Sequence, residues 1–134
     1  MVRILVVDDS GPFRQHICKM LADLPNFQII CEAFDGLEAV HKAQQLHPDV
    51  ILLDIGLPKM NGIAAGWQIR VLSPQSKIIF VSQESSGEVV QEALNLGAKA
   101  YVLKSKIASD LQAAIDAVLK GKQFVSSGLI PDVP

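Results

Sequence analysis

No apolar run in this chain approaches the roughly 20 residues that a membrane-spanning helix requires, so no membrane span is expected. The opening stretch Met1-Val2-Arg3-Ile4-Leu5-Val6-Val7-Asp8-Asp9 breaks at two aspartates before the hydrophobic region of a signal peptide can accumulate. An excess of positive charge is missing too. Twelve Lys and Arg stand against 14 Asp and Glu, a net charge of −2, with an isoelectric point near 5.8. That balance gives no basic footprint for nucleic acid, so contact with DNA would fall to another part of a longer protein. Cysteine is scarce, and Cys18 and Cys31 have no metal-ligand spacing. Both are expected to be buried apolar thiols in a reducing compartment, which places the domain in the cytoplasm. Repeats and low-complexity segments are absent.

What is present is a core. Apolar residues make up 49% of the 134 positions, enough for one folded domain and far above the content of a disordered chain. Five short apolar runs recur: Ile4–Val7, Phe27–Ala33, Val50–Leu53, Ile78–Val81 and Ala100–Leu103. Each gap has room for one helix and two short connections. This rhythm is (βα)₅ and demands parallel strands with crossover helices on both faces. Four runs are continuously apolar, as strands buried on both faces should be. In the second, Gln28 and Glu32 alternate with Phe27, Ile29, Cys31 and Ala33, the pattern of a half-exposed edge strand. Helix starts are expected at Ser10-Gly11-Pro12, at Asp35, at the capping-box spacing Ser85-x-x-Glu88, and at Ser105. From Gly121 to Pro134 the periodicity is lost.

In a doubly wound sheet, ligands sit beyond the carboxyl ends of the strands, where the strand order reverses. Asp8 and Asp9 end the first run, Asp54 the third, Ser82 the fourth and Lys104 the fifth. Taken singly, a strand-end aspartate caps a helix or forms a turn, and a lone serine or lysine is merely solvated. The joint placement of an acid pair, a lone acid, a hydroxyl and an ammonium on one rim demands another reason. Clustered carboxylates repel and are costly to desolvate without cations. Lys104 supplies one positive charge, and a hard divalent ion such as Mg²⁺, which favours a couple of carboxylates plus water, would supply the rest. A carboxylate beside Mg²⁺ and an ammonium is poised as a nucleophile for phosphoryl transfer.

With those residues in hand, the chain resembles the receiver domains of bacterial two-component response regulators. The similarity is carried by Ile4-Leu5-Val6-Val7-Asp8-Asp9, Val50-Ile51-Leu52-Leu53-Asp54 and Leu57-Pro58-Lys59-Met60-Asn61-Gly62. It continues in Ile78-Ile79-Phe80-Val81-Ser82 and Gly97-Ala98-Lys99-Ala100-Tyr101-Val102-Leu103-Lys104. The resemblance implies a flavodoxin-like α/β sheet of order 2-1-3-4-5. It implies Asp54 as phospho-acceptor, a sensor histidine kinase as donor, and Mg²⁺ held by Asp8, Asp9, Asp54 and the Gly56 carbonyl. It also implies Lys104 as partner of the phosphoryl group, Ser82 as switch hydroxyl and Tyr101 as the aromatic that swings inward with it. The stretch from Ala117 to Ser126 is similar to the receiver end of regulators with a LuxR/NarL-type helix-turn-helix. Residues 1–121 are therefore expected to form a receiver and 122–134 to start a linker or tail. Any DNA contact would run through a C-terminal domain outside this chain, and a homodimer is a further expectation.

Four departures from the family pattern stand out. Gln83 follows Ser82 where a small residue is usual, and would crowd the pocket. Ser105 follows Lys104 where many relatives carry a cis proline, so a trans joint is expected, since a non-proline cis bond costs about 3 kcal/mol. Asn61 replaces a common aspartate, with little consequence expected. Gly66 and Trp67 stand where a core leucine and a polar residue are usual. Either Trp67 folds back to fill the space beside Gly66, or Ala64, Ala65 and Trp67 form an exposed partner-binding patch. His16, His41 and His47 share no face and are read as ordinary surface or helix-end residues. Two rival functions remain: a pseudo-receiver that binds proteins without phosphorylation, and a turnover enzyme such as a phosphatase. The acid triad with Lys104 argues against the first. The lack of an Asp-x-Asp nucleophile motif and of a Gly-rich nucleotide loop argues against the second.

Overall fold

The computed structural model describes residues 1–129. Strands β1 (Val2–Val7), β2 (Phe27–Ala33), β3 (Val50–Leu53), β4 (Lys77–Ser82), β5 (Ala100–Leu103) and β6 (Phe124–Val125) form one parallel sheet of order β2-β1-β3-β4-β5-β6. Helices α1 (Gly11–Ala22), α2 (Gly36–Leu46), α3 (Gly62–Leu72), α4 (Gly87–Asn95) and α5 (Ile107–Leu119) fill the crossovers, and a 3₁₀ turn, Lys104–Lys106, leads into α5. The expected fold and the order of its first five strands are therefore found.

Alternation along each strand divides the core in two. Leu5, Val7, Ile51, Leu53, Phe80 and Tyr101 point to the side of α2, α3 and α4. Ile4, Val6, Val50, Leu52, Ile79, Val81 and Val102 meet Ile17 and Leu21 of α1 and Leu111, Ile115 and Val118 of α5. Period-2 strands covered by helices on both faces give this arrangement. β2 lies at the edge, with Gln28 and Glu32 exposed.

The N-terminal caps follow the sequence in two cases. Ser10 accepts a hydrogen bond from the Phe13 N–H and Asp35 from the Glu38 N–H. The cap of α4 is Ser86, accepting from Val89, not Ser85; a one-residue shift keeps Glu88 in the first turn, where acid favours the helix dipole. Ser105 caps nothing: the chain winds first through the 3₁₀ turn, and α5 starts at Ile107 without a side-chain cap. No peptide bond among the described residues is cis, so the Lys104–Ser105 joint is trans.

Two further expectations need correction. Both cysteines are free, but each is only partly buried, because Cys18 lies on α1 and Cys31 on the edge strand. Helix α3 does not fold Trp67 into the core. The space beside Gly66 is taken by Leu96 and Phe80, whose atoms would stand 3.1–3.4 Å from a Cβ there, and Trp67 remains 46% exposed. The expected patch differs as well, since Ala65 is fully buried and Val71, 76% exposed, takes its place beside Trp67. The segment expected to start a linker or tail at residue 122 carries β6, a buried Ser126 and a buried Leu129. A two-residue strand has too little periodicity to be seen in sequence. Residues 130–134 of the expected tail lie outside the described residues.

Candidate functional site

The carboxyl ends of β1, β3, β4 and β5 bring Asp8, Asp9, Asp54, Ser82 and Lys104 to one rim. Asp8 is 1% and Asp54 6% exposed, whereas Asp9 faces solvent. One carboxylate oxygen from each of the three lies within 4.8 Å of the others. The Lys104 ammonium bonds Asp8 Oδ2 at 2.8 Å and Asp54 Oδ2 at 3.2 Å. It also sits 4.5 Å from the centroid of the Phe13 ring, a cation–π contact from the start of α1. The other oxygens are held by backbone: Asp8 Oδ1 accepts from Ser10 N–H at 2.9 Å and Asp54 Oδ1 from Ile55 N–H at 2.8 Å. Arg14 donates to the Asp8 carbonyl at 2.7 Å and pairs with Glu32 at 3.0 Å, which pins the β1–α1 turn.

Gly62 explains how closely α3 approaches the acceptor. A Cβ there would collide with the Asp54 carbonyl. Only glycine lets the N-terminus of α3 close over the end of β3.

The hydroxyl and the aromatic are near but differently engaged. Ser82 is 3% exposed and its Oγ accepts from the Glu84 N–H at 3.1 Å. Tyr101 is fully buried, and its O–H donates to the Glu84 carbonyl at 2.8 Å. A cavity of about 480 Å³ opens over Asp9, Asp54, Gly56, Ser82, Gln83 and Lys104. A larger groove, about 660 Å³, lies between Met1, Phe27 and Leu119 and includes only one carboxylate, Asp116. Chemistry, not size, therefore marks the site.

Electrostatics says what the rim is short of. Burial pushes the Asp54 carboxyl above its ordinary value, Asp8 adds to that, and Lys104 opposes it without prevailing. Burial also works against the Lys104 ammonium, but its bonds to Asp8 and Asp54 outweigh that and raise its pKa. One ammonium thus serves Asp8 and Asp54, and the third carboxylate of the cluster, Asp9, has no share in it. The donor set, hard oxygens around an under-neutralised cluster, fits a divalent cation such as Mg²⁺.

Sequence reasoning missed three contributors. Phe13 was read only as a helix-face residue, and Arg14 and Glu84 carry no motif that marks them.

The sequence matches the family described as response regulator receiver domain over residues 4–116, and the chain belongs to that family. It is 32% identical over 124 residues to the transcriptional regulatory protein DegU of Brevibacillus brevis, covering 92% of this chain and 52% of that protein. It is 42% identical over 115 residues to a protein-glutamate methylesterase/protein-glutamine glutaminase of Methanosarcina acetivorans, covering 84% of this chain and 33% of that protein. The chain thus spans about half or less of these relatives. The structure of a LuxR-family two-component response regulator from Aurantimonas sp. SI85-9A1 superposes with a TM-score of 0.91 at 29% identity, covering 96% of this chain and 92% of that one. Among the described residues no helix is long and apolar enough to cross a membrane.

Proposed function

We propose that this domain is a phosphorylation-dependent signalling switch whose acceptor is the Asp54 carboxylate. The donor is the phosphohistidine of a sensor histidine kinase. An Asp54 oxygen attacks phosphorus, the phosphorus–nitrogen bond to the imidazole breaks, and the imidazole keeps the bonding electron pair. Asp8, Asp9 and Asp54, with the Gly56 carbonyl, would hold Mg²⁺, which when bound disperses negative charge on the transferred group. Lys104 follows the developing charge, moving from the Asp54 carboxylate to a phosphoryl oxygen. Ser82 then bonds another phosphoryl oxygen, and Tyr101 answers its displacement. Such a switch is a two-state equilibrium biased by a local charge change.

The observation that carries this reading is the one ammonium shared between Asp8 and Asp54 beside a third carboxylate. The relatedness to DegU, a transcriptional regulatory protein, supports an output in transcription; in this reading that output runs through a DNA-binding domain outside this chain, with a homodimer as the working form. The domain acts in the cytoplasm and turns over no external substrate. Incubation with acetyl phosphate and Mg²⁺, followed by intact mass, should add one phosphoryl group to the wild type and none to Asp54→Asn. A wild type left unmodified would favour the pseudo-receiver.

A further inference from the structure

After α5 the chain returns along the open edge of β5, with Phe124 opposite Ala100 and Val125 opposite Tyr101. The Ser126 N–H donates to the Tyr101 carbonyl at 2.9 Å. The Leu103 N–H donates to the Ser126 hydroxyl oxygen at 3.1 Å, and that hydroxyl donates to Asp110 Oδ2 at 2.7 Å. Ser126 is 1% exposed. A hydroxyl offers one proton and two lone pairs. Here the proton goes to a carboxylate, in a short charge-assisted bond, and a lone pair takes the last N–H of β5.

The next residue is Lys104. It opens the 3₁₀ turn, which has no side-chain cap of its own. At the other end of the turn Lys106 donates to the Ser127 carbonyl and, at 2.6 Å, to the Ser127 hydroxyl. Two consecutive residues, Ser126 and Ser127, therefore fix both ends of the turn that presents Lys104.

We propose that Ser126, braced by Asp110, is a positioning residue for Lys104. The proposal rests on the phosphorylation reading. A lysine side chain is a flexible four-carbon stem, so its reach to two carboxylates depends on where its backbone leaves the sheet. Without the hydroxyl the Leu103 N–H loses its partner and the turn loosens. Two effects of opposite sign follow. The ammonium no longer meets the transferred phosphoryl group reliably, which slows its transfer. It also competes less for Asp8 and Asp54, so Mg²⁺ binds no more weakly than before, or more tightly. A general loss of structure would weaken both.

The test follows phosphorylation of the whole chain by acetyl phosphate, with Mg²⁺ titrated and intact mass as readout. Ser126→Ala should lower the maximal rate roughly tenfold, the scale of supporting residues around a site, while half-saturating Mg²⁺ stays constant or falls. Ser126→Thr keeps the hydroxyl and should restore the rate. In a Lys104→Ala background, Ser126→Ala should change the residual rate no further. Asp110→Ala should act in the same direction, more weakly, and serves if Ser126→Ala does not fold. The proposal is overturned if wild type is modified and Ser126→Ala reacts as fast, or if rate and Mg²⁺ affinity fall together. A wild type that takes no phosphoryl group overturns the function itself, and this proposal with it.

Discussion

The hydroxyl of Tyr101 donates to the backbone carbonyl of Glu84 at 2.8 Å, and this bond ties the loop after β4 to a ring that lies wholly inside the domain. Burial pushes the phenol up to about 12, against a smaller downward pull from Ser82.

The chain has a single tyrosine, so its titration can be read directly by near-UV absorbance. The sign is set by linkage. The unfolded chain releases the phenolic proton near 10 and the folded one only near 12, so the unfolded state binds fewer protons between them. Stability supplied by Tyr101 is whole below pH 10 and is lost as pH rises to 12. Tyr101→Phe should remove this alkaline loss and cost about 1 kcal/mol at neutral pH, the worth of one hydrogen bond. A phenolate signal appearing near pH 10 in the folded protein would contradict the burial argument.

Asp54 runs the other way from an ordinary surface carboxylate. Its folded pKa is raised, so ionisation disfavours folding, and that penalty sets in as pH rises above the ordinary carboxylate value of 3.8. Asp54→Asn removes the charge and keeps the shape. In magnesium-free buffer at neutral pH it should raise Tm by about 3–5 °C, on the order of 1 kcal/mol for a domain of this size. Added Mg²⁺ should stabilise the wild type and leave Asp54→Asn nearly unmoved. Thermal melts in chelator and in excess magnesium check both. An Asp54→Asn variant less stable than wild type in chelator would show that the cluster is already balanced.

Much of this arrangement is legible in the sequence. Four strands buried on both faces announce themselves as continuous apolar runs, and an aspartate that ends such a run must stand at its rim, so Asp8, Asp9 and Asp54 were legible. What escaped depends on distances between elements. Nothing in sequence says that Lys104 binds Asp8 more closely than Asp54, or that Phe13 lies under its ammonium. β6 is held by pairing to β5 and by the Ser126 bonds, none of which leaves a period to read.

Trp67 is the clearest case where packing overrode the simpler expectation. Leu96 and Phe80 fill the groove beside Gly66, which leaves the indole 46% exposed with the Arg70 guanidinium 5.7 Å from its ring centroid. As the sole tryptophan, it should be quenched readily by acrylamide. Trp67→Ala should change stability by no more than about 1 kcal/mol, because half of the ring is already in water. A shielded fluorophore, or a loss of about 3 kcal/mol or more as for a core aromatic, would return Trp67 to the interior.

Gln83 is exposed at the lip of the cavity that holds Asp54, Ser82 and Lys104. Hydrolysis of an aspartyl phosphate needs a water in line with the bond to the carboxylate, and that water must come through the open side. A long amide side chain beside Ser82 narrows that approach, where a small residue would leave it clear. Gln83→Ala should therefore shorten the phosphoryl lifetime a few-fold, the effect of about 1 kcal/mol on the barrier. The rate of phosphorylation by acetyl phosphate should rise or hold. Loss of the phosphoryl mass after removal of the donor measures the first, and its gain measures the second. An unchanged lifetime would mean that the Gln83 side chain lies along the surface of the β4–α4 loop and leaves the water's path open.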